Sequence, residues 1–236
     1  MAKKNNNEKS KNLIFQISEA YKKARTNLSY SIIKKGCKKI VFTSPLKSEG
    51  KSTTSVNIAI ALSQQIDKKV IIVDCDLRRP TVHTVLNTTS DRGLANFLNN
   101  ECSLSDVIQK TENESLDFIS FGVIPPNPSE LLSSVEMENL VTELEKIYDY
   151  IIFDTPPVNP VVDTIPLIRL SDGVVMVVRH NQTTVPELNK AITTIKRNSG
   201  KILGIIITQI PSVETSKGSY YFSKSKRNSS IYNTDY

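Results

Sequence analysis

The segment "TSPLKSEGKSTTS" joins a predicted strand to a predicted helix and places Gly50-Lys51-Ser52 at the junction. This arrangement suits phosphate binding, because free backbone N–H groups at a helix N-terminus can surround phosphate oxygens. The Lys51 ammonium would reach the outer phosphates, and the Ser52 hydroxyl would be offered to Mg²⁺. The first glycine of the usual pattern is absent, since Pro45 stands five residues before Gly50. The predicted nucleotide contacts here are Ser48, Glu49, Gly50, Lys51, Ser52 and Thr53.

Three aspartates stand at the ends of two other predicted strands. "VIIVDCDLRRP" contains Asp74 and Asp76, and "YDYIIFDTPP" contains Asp154. Residues two apart in a strand point the same way, so Asp74 and Asp76 could both face the phosphates. A Mg²⁺–nucleotide complex needs carboxylates for the ion's water shell and one that can accept a proton. Each aspartate alone could cap a helix, but all three together predict a ligand site at the carboxyl ends of strands.

The elements that must position these residues alternate between strand and helix. The predicted strands are "KIVFTS", "KVIIVDCD", "LDFISFG", "YDYIIFDT", "GVVMVVR" and "ILGIIITQ". Several are apolar on both alternating faces, which is typical of parallel strands covered by helices on both sides. The pattern therefore predicts an α/β fold with a doubly wound, mostly parallel sheet.

Three helices are predicted with particular ends or faces. The helix after the phosphate loop is expected to be amphipathic, with Val56, Ile60 and Ala61 on one side. One continuous helix is expected over 127–148, capped by Asn127 and closed by Glu130 in a capping box. Another begins with Thr and Pro and stops at Gly200.

Charge and composition suggest one domain with two basic ends. Residues 1–40 carry eleven Lys and Arg against two Glu, and residues 217–236 carry four against one, whereas the whole chain is at +6. Basic ends on an acidic middle suggest an anionic surface nearby, or else merely solvated ends. We expect a basic helical arm over 1–37, the α/β domain over 38–211 and a flexible tail over 212–236.

Several function classes are disfavoured. No apolar run approaches the roughly 18 residues of a membrane span, and the N-terminus lacks the apolar stretch of a signal peptide. The chain is therefore expected in the cytoplasm unless a partner holds it at the membrane. The three cysteines form no CxxC pair and the two histidines no ligand motif, so neither a disulfide framework nor a metal ribbon is expected.

Together the motifs resemble those of a known family. The GKST loop, "VDCDLRRP" and "IIFDTPP" look like the three Walker motifs of bacterial tyrosine kinases, within the P-loop group of partition, septum-placement and nitrogenase-type ATPases. "PPNPSELL" and the tyrosine-rich C-terminus also resemble the kinases of capsular and exopolysaccharide synthesis whose kinase is a separate cytoplasmic chain.

The resemblance implies an ATP- and Mg²⁺-dependent protein-tyrosine kinase. Lys51 and Ser52 would hold phosphate and metal, and Asp154 would support the metal's shell with Asp74. Asp76 would orient or deprotonate the tyrosine hydroxyl, although the roles of Asp74 and Asp76 could be exchanged. The implied acceptors lie in the tail and are Tyr220, Tyr221, Tyr232 and Tyr236.

The resemblance also implies partners. A transmembrane activator would recruit the chain to the inner face of the membrane, so membrane contact would be indirect, and no nucleic acid is expected. The chain would self-associate, with transfer between subunits and with phosphorylation of the basic tail releasing the assembly. Glu19, Lys22 and Arg25 resemble the family's Glu-x-x-Arg-x-x-Arg assembly motif, with Lys in place of the first Arg.

Two further departures leave alternatives open. Partition-type ATPases have a lysine five residues before the loop lysine, where this chain has Leu46, which counts against a partition-type ATPase switch. The family's adenine-reading Asn is replaced by Thr208-Gln209, so Gln209 is only a candidate base contact. After the tyrosine kinase and the partition-type ATPase switch, a third possible function is an inactive scaffold that only binds nucleotide.

Overall fold

The computed structural model describes residues 2–89 and 92–210, with side chains described from residue 14 onward. The strands are β1 Lys38–Thr43, β2 Val70–Asp74, β3 Ile108–Lys110, β4 Leu116–Ile119, β5 Tyr150–Asp154, β6 Gly173–Arg179 and β7 Ile202–Thr208. The helices are α1 Ala2–Ser31, α2 Lys51–Ser63, α3 Val82–Leu86, α4 Leu94–Leu98, α5 Leu104–Val107, α6 Pro128–Leu132, α7 Val135–Glu145, α8 Thr164–Leu170 and α9 Val185–Arg197.

Within the described residues, the strands form one seven-stranded sheet in the order β3-β4-β2-β5-β1-β6-β7. All neighbouring pairs are parallel except β3 with β4. The six predicted strands are present, and the predicted doubly wound, mostly parallel fold is confirmed. The sequence reasoning missed β3, which has only three residues and therefore no readable alternation.

Two hydrophobic cores cover the two faces of the sheet. One face packs against α4, α7, α8 and α9, and the opposite face packs against α1, α2 and α3. Alternate residues of one strand divide between them, with Ile151 and Phe153 in the first core and Ile152 in the second. The central strands are therefore buried on both sides, as their apolar runs predicted.

The amphipathic pattern expected of α2 is wrong. Ten of its thirteen residues are buried, including Ile58 and Leu62, which lie outside the predicted apolar face. The helix lies between the sheet and α1. Leu28 of α1 and Ile32, directly after it, belong to the same core, and the Arg25 guanidinium donates to the Ala61 carbonyl at 3.0 Å. A helix covered on two sides does not need a polar face.

The single helix expected over 127–148 is also wrong, because it is divided into α6 and α7. The Ser134 hydroxyl accepts from the Met137 N–H at 3.3 Å and starts α7 as a new helix. Asn127 makes no side-chain cap and instead donates to the Glu130 carboxylate, so the predicted capping box is absent. By contrast, Thr184 and Glu187 form a capping box at α9, which ends at Arg197 rather than at Gly200.

Among the described helices, none is both long enough and apolar enough to cross a bilayer.

Candidate nucleotide site

The phosphate loop, residues 44–50, leaves β1 and enters α2 at the centre of the sheet's carboxyl edge. Gly50 immediately precedes α2 and has a left-handed backbone with φ 83°, which favours glycine. Ser48 is also left-handed, with φ 63°. Across the described residues, the N–H groups of Ser48, Glu49 and Gly50 donate to no protein acceptor. These free donors at a helix N-terminus can bind an anion.

Lys51 lies beside this loop in a buried ion cluster. Its ammonium contacts the Asp154 carboxylate at 2.8 Å and lies 3.7 Å from that of Asp76. Ser52 and Ser55 also donate to Asp154, at 2.6 and 2.9 Å. Burial lowers the pKa of Lys51, but Asp154 and Asp76 outweigh it and leave that pKa above its ordinary value. The lysine is therefore a fixed cation beside the free N–H groups.

Asp74 and Asp154 end neighbouring strands in direct register. The Asp74 carboxylate is fully buried and accepts the N–H groups of Asp76 at 3.2 Å and Val82 at 3.1 Å. Burial raises its pKa to about 8, the neighbouring Asp154 adds to this shift, and Lys51 opposes it. Burial also raises the pKa of Asp76, again against Lys51. The three predicted carboxylates are thus brought together around one lysine.

The donor set suits Mg²⁺ with a phosphorylated ligand. Asp154 and Asp76 share one ammonium, so the cluster has an excess of negative charge even while Asp74 holds a proton, and a divalent cation would offset it. The available ligands are hard oxygens, which Mg²⁺ prefers. In the part of the chain that is described, no three Asp, Glu, His or Cys side chains could hold a metal ion by themselves. Mg²⁺ usually takes only one or two protein ligands and completes its shell with water and phosphate.

Sequence reasoning missed several side chains that shape this cluster. Ser55 lies three residues after Ser52 on α2, and this helical spacing could have identified it. The Thr81 hydroxyl donates to the Ser52 hydroxyl at 2.8 Å. Arg78 makes a two-pronged contact with buried Asp163, at 2.5 and 3.1 Å, which joins the loop after β2 to the start of α8. A contact 85 residues apart leaves no local sequence signal.

Three other predicted nucleotide contacts have side chains that lie outside the ion cluster around Lys51. The Glu49 side chain is buried and accepts from the Leu46 N–H at 2.8 Å and from the Thr183 hydroxyl, so it serves the loop itself. Thr53 is exposed on the first turn of α2. Gln209 is exposed directly after β7, with a left-handed backbone.

The predicted assembly residues lie on α1, on the sheet face that α2 covers. Glu19 and Lys22 form an ion pair with each other at 2.8 Å, and Arg25 bonds to α2. The predicted phosphate acceptors Tyr220, Tyr221, Tyr232 and Tyr236 lie outside the described residues.

The chain is similar to known proteins of one family. A family model described as "AAA domain" matches residues 37–205. The chain is 38% identical over 207 residues to the tyrosine-protein kinase YwqD of Bacillus subtilis (strain 168), covering 88% of this chain and 87% of that protein.

Two solved structures are similar. The chimerical protein CapA2B2 superposes with a TM-score of 0.78 and is 36% identical, covering 82% of this chain and 85% of that chain. The septum site-determining protein MinD from Pyrococcus horikoshii OT3, complexed with Mg-ADP, has a TM-score of 0.62 at 22% identity and covers 72% and 70%. The latter likeness shows the fold alone. The AAA domain match and the 38% identity to a Bacillus subtilis tyrosine-protein kinase show that the chain belongs to the bacterial tyrosine-protein kinases of the AAA, P-loop type.

Proposed function

We propose that this kinase transfers the γ-phosphoryl group of Mg²⁺-bound ATP to tyrosines in its own C-terminal segment, between subunits. The observation that carries the proposal is the contact of Lys51 with Asp154 and Asp76 beside a phosphate loop whose N–H groups are free. Membership in the tyrosine kinase family supports tyrosine side chains as the acceptors of the phosphoryl group.

The chain's own groups have separable roles in this reaction. When bound, Mg²⁺-ATP supplies the transferable phosphoryl group together with a counter-charge for it. The N–H groups of residues 48–50 bind phosphate oxygens, and Lys51 balances their charge. Ser52, Asp154 and Asp74 would hold the metal.

Asp76 is the proposed proton acceptor. It is the least buried of the three carboxylates, although still only 6% exposed, and it lies in the loop after β2 rather than in the strand. As the bond from the tyrosine oxygen to the γ-phosphorus forms, the phenol proton passes to the Asp76 carboxylate. The bond from that phosphorus to the bridging oxygen breaks, and ADP leaves with the electron pair.

The tyrosine-rich segment supplies the proposed acceptors Tyr220, Tyr221, Tyr232 and Tyr236. In general, a flexible chain of about 20 residues spans roughly 25 Å, which is enough to reach a neighbouring subunit. We further propose that self-association through α1 brings the subunits together, with Glu19, Lys22 and Arg25 at the contact. Phosphates would reverse the charge of the basic segment and weaken the assembly.

The proposed partner is a transmembrane activator that recruits the kinase to the inner face of the cell membrane for capsular or exopolysaccharide synthesis. A solved relative is itself a chimerical protein, CapA2B2, which supports a kinase that acts together with a second protein.

The test incubates the full chain with γ-labelled ATP and Mg²⁺. Lys51→Met and a variant with Phe at positions 220, 221, 232 and 236 should both lose protein labelling, whereas Tyr30→Phe should keep it. Tyr30 is the matched control because it is 80% exposed and lies outside the C-terminal segment. Mixing Lys51→Met with the four-Phe variant should restore label on the Lys51→Met chain if transfer occurs between subunits.

Two outcomes would contradict the proposal. Hydrolysis of ATP without label on protein would favour the partition-type ATPase switch. Absence of both activities, also with an activator's cytoplasmic segment added, would favour a nucleotide-binding scaffold.

A further inference from the structure

The buried Glu49 carboxylate accepts from none of the free N–H groups of the phosphate loop. It is only 1% exposed, although it lies next to Gly50 in a loop that must bind an anion. One carboxylate oxygen accepts from the Leu46 N–H at 2.8 Å, and the other accepts from the Thr183 hydroxyl. Both partners are donors, so the buried charge is satisfied without a metal or a nucleotide.

Further contacts tie the same loop to the end of β6 and the β6–α9 connection, residues 179–184. Gln182 donates to the Lys47 carbonyl at 3.2 Å, and the Arg179 guanidinium donates to the Ser48 carbonyl at 3.4 Å. From the end of β7, the Thr208 hydroxyl donates to the Glu49 carbonyl at 2.6 Å. Three consecutive loop carbonyls are therefore held from outside the loop, and Glu49 is held at both its backbone and its side chain.

The loop needs such support because its own sequence does not enforce its shape. Pro45 stands where the usual pattern has a glycine, and the left-handed position 48 is a serine rather than a glycine. A non-glycine residue in this region costs free energy and persists only where its surroundings impose it. An unsupported loop would have to be ordered by the nucleotide, at the expense of affinity.

We propose that Glu49 and Thr183 are positioning residues that fix the phosphate loop before nucleotide binds. Their side chains act on the nucleotide only through the loop backbone, and Glu49 remains a predicted nucleotide contact through its free N–H group. Thr183 also accepts from the Arg179 N–H at 3.1 Å, and so the β6–α9 connection is itself ordered where it meets Glu49. The inference rests on the proposed ATP site but not on transfer to tyrosine.

The test measures the dissociation constant of a fluorescent ATP analogue with Mg²⁺, and of ADP in EDTA, for the full chain. Glu49→Ala and Thr183→Val should each weaken binding about tenfold, and the double variant little more than either alone. Thr183→Ser should recover most of the lost affinity, because it keeps the hydroxyl.

Glu49→Gln should also recover most of the affinity, because the amide oxygen can accept from Leu46 while the amide nitrogen donates to the Thr183 oxygen. The matched control is Thr142→Val, which removes an exposed hydroxyl that bonds only within α7 at 2.9 Å. Melting temperatures verify that each variant is folded.

The inference is overturned if Glu49→Ala changes affinity less than twofold, or if Glu49→Gln is as weak as Glu49→Ala. It is also overturned if the loss appears only with Mg²⁺, because that would indicate a role for the carboxylate at the metal. If labelled phosphate never reaches protein while this binding pattern holds, the proposed transfer to tyrosine fails and the positioning role stands.

Discussion

Replacement of Asp74 by Asn should change how the stability of the nucleotide-free protein depends on pH. Burial and the neighbouring Asp154 raise the pKa of Asp74 from 3.8 to about 8. Between these values the folded protein holds a proton that the unfolded chain has released. The stability from this group is therefore fully present at low pH and is lost as pH rises toward about 8.

The expected size follows from the linkage of proton binding to folding. Well inside this window, wild type should lose about 1.4 kcal/mol of unfolding free energy per pH unit through this one group. The asparagine of the Asp74→Asn variant cannot ionise, so the variant lacks this pH-dependent loss of unfolding free energy. It accepts only one of the two N–H groups from Asp76 and Val82, which adds a cost that does not vary with pH. From about pH 5 to 7, the variant should thus gain roughly 2–3 kcal/mol relative to wild type.

The assay is urea unfolding of both proteins at several pH values across this range, without nucleotide or Mg²⁺. Asp149→Asn is a matched control. Burial raises the pKa of Asp149, but Lys68 and the Lys69 N–H outweigh this and leave that pKa lowered, so the difference from wild type should stay constant above about pH 5. A difference between Asp74→Asn and wild type that also stays constant would show that Asp74 is ionised throughout, and the burial argument would then be wrong.

Two other substitutions test the packing around the site. Phe153→Ala removes a fully buried ring from β5 and should lower the unfolding free energy by about 3–5 kcal/mol, measured with urea; a loss below 1 kcal/mol would contradict the two-core packing. Arg78→Ala should lower the unfolding free energy by about 1–2 kcal/mol, because it leaves the buried Asp163 carboxylate without its two-pronged partner. This figure is reduced from that for a fully buried pair because Arg78 is exposed to solvent. If Asp163→Asn combined with Arg78→Ala restores no stability, that pairing is not the cause.

Much of the fold and site was predictable because the relevant signals are local. Parallel strands buried on both faces appear as apolar runs, and the fold then places their carboxyl ends together. Asp74 and Asp154 are 80 residues apart in sequence, and the sequence predicts both at the carboxyl ends of strands. The structure adds that these strands are neighbours and that the two residues are in register. Lys51 could be predicted as a phosphate-binding residue from its position alone, directly after Gly50 at a strand-to-helix junction.

The features that escaped prediction depend on contacts between distant segments. Glu49 precedes Gly50 in the motif, and its side chain is held by Thr183, which is 134 residues away and leaves no signal in the motif. The burial of α2 on two sides depends on α1, which its own periodicity cannot reveal. The break between α6 and α7 is the exception, because the serine that caps α7 is visible in "LLSSVEM", although the sequence prediction places it inside one helix.

The balance of charge around Lys51 explains why nucleotide and metal should bind together. Its ammonium is the cation nearest to Asp154 and Asp76, at 2.8 and 3.7 Å. If Lys51 turned toward the phosphate oxygens of a bound nucleotide, those buried carboxylates would lose their closest counter-charge while further negative charge arrived. Leaving buried carboxylates unpaired is costly, so nucleotide alone should bind poorly. A divalent cation that arrives with the nucleotide and contacts Ser52 and Asp154 would replace the lost positive charge. The same ion pair that holds Lys51 before binding would thus couple the affinity for nucleotide to the presence of Mg²⁺.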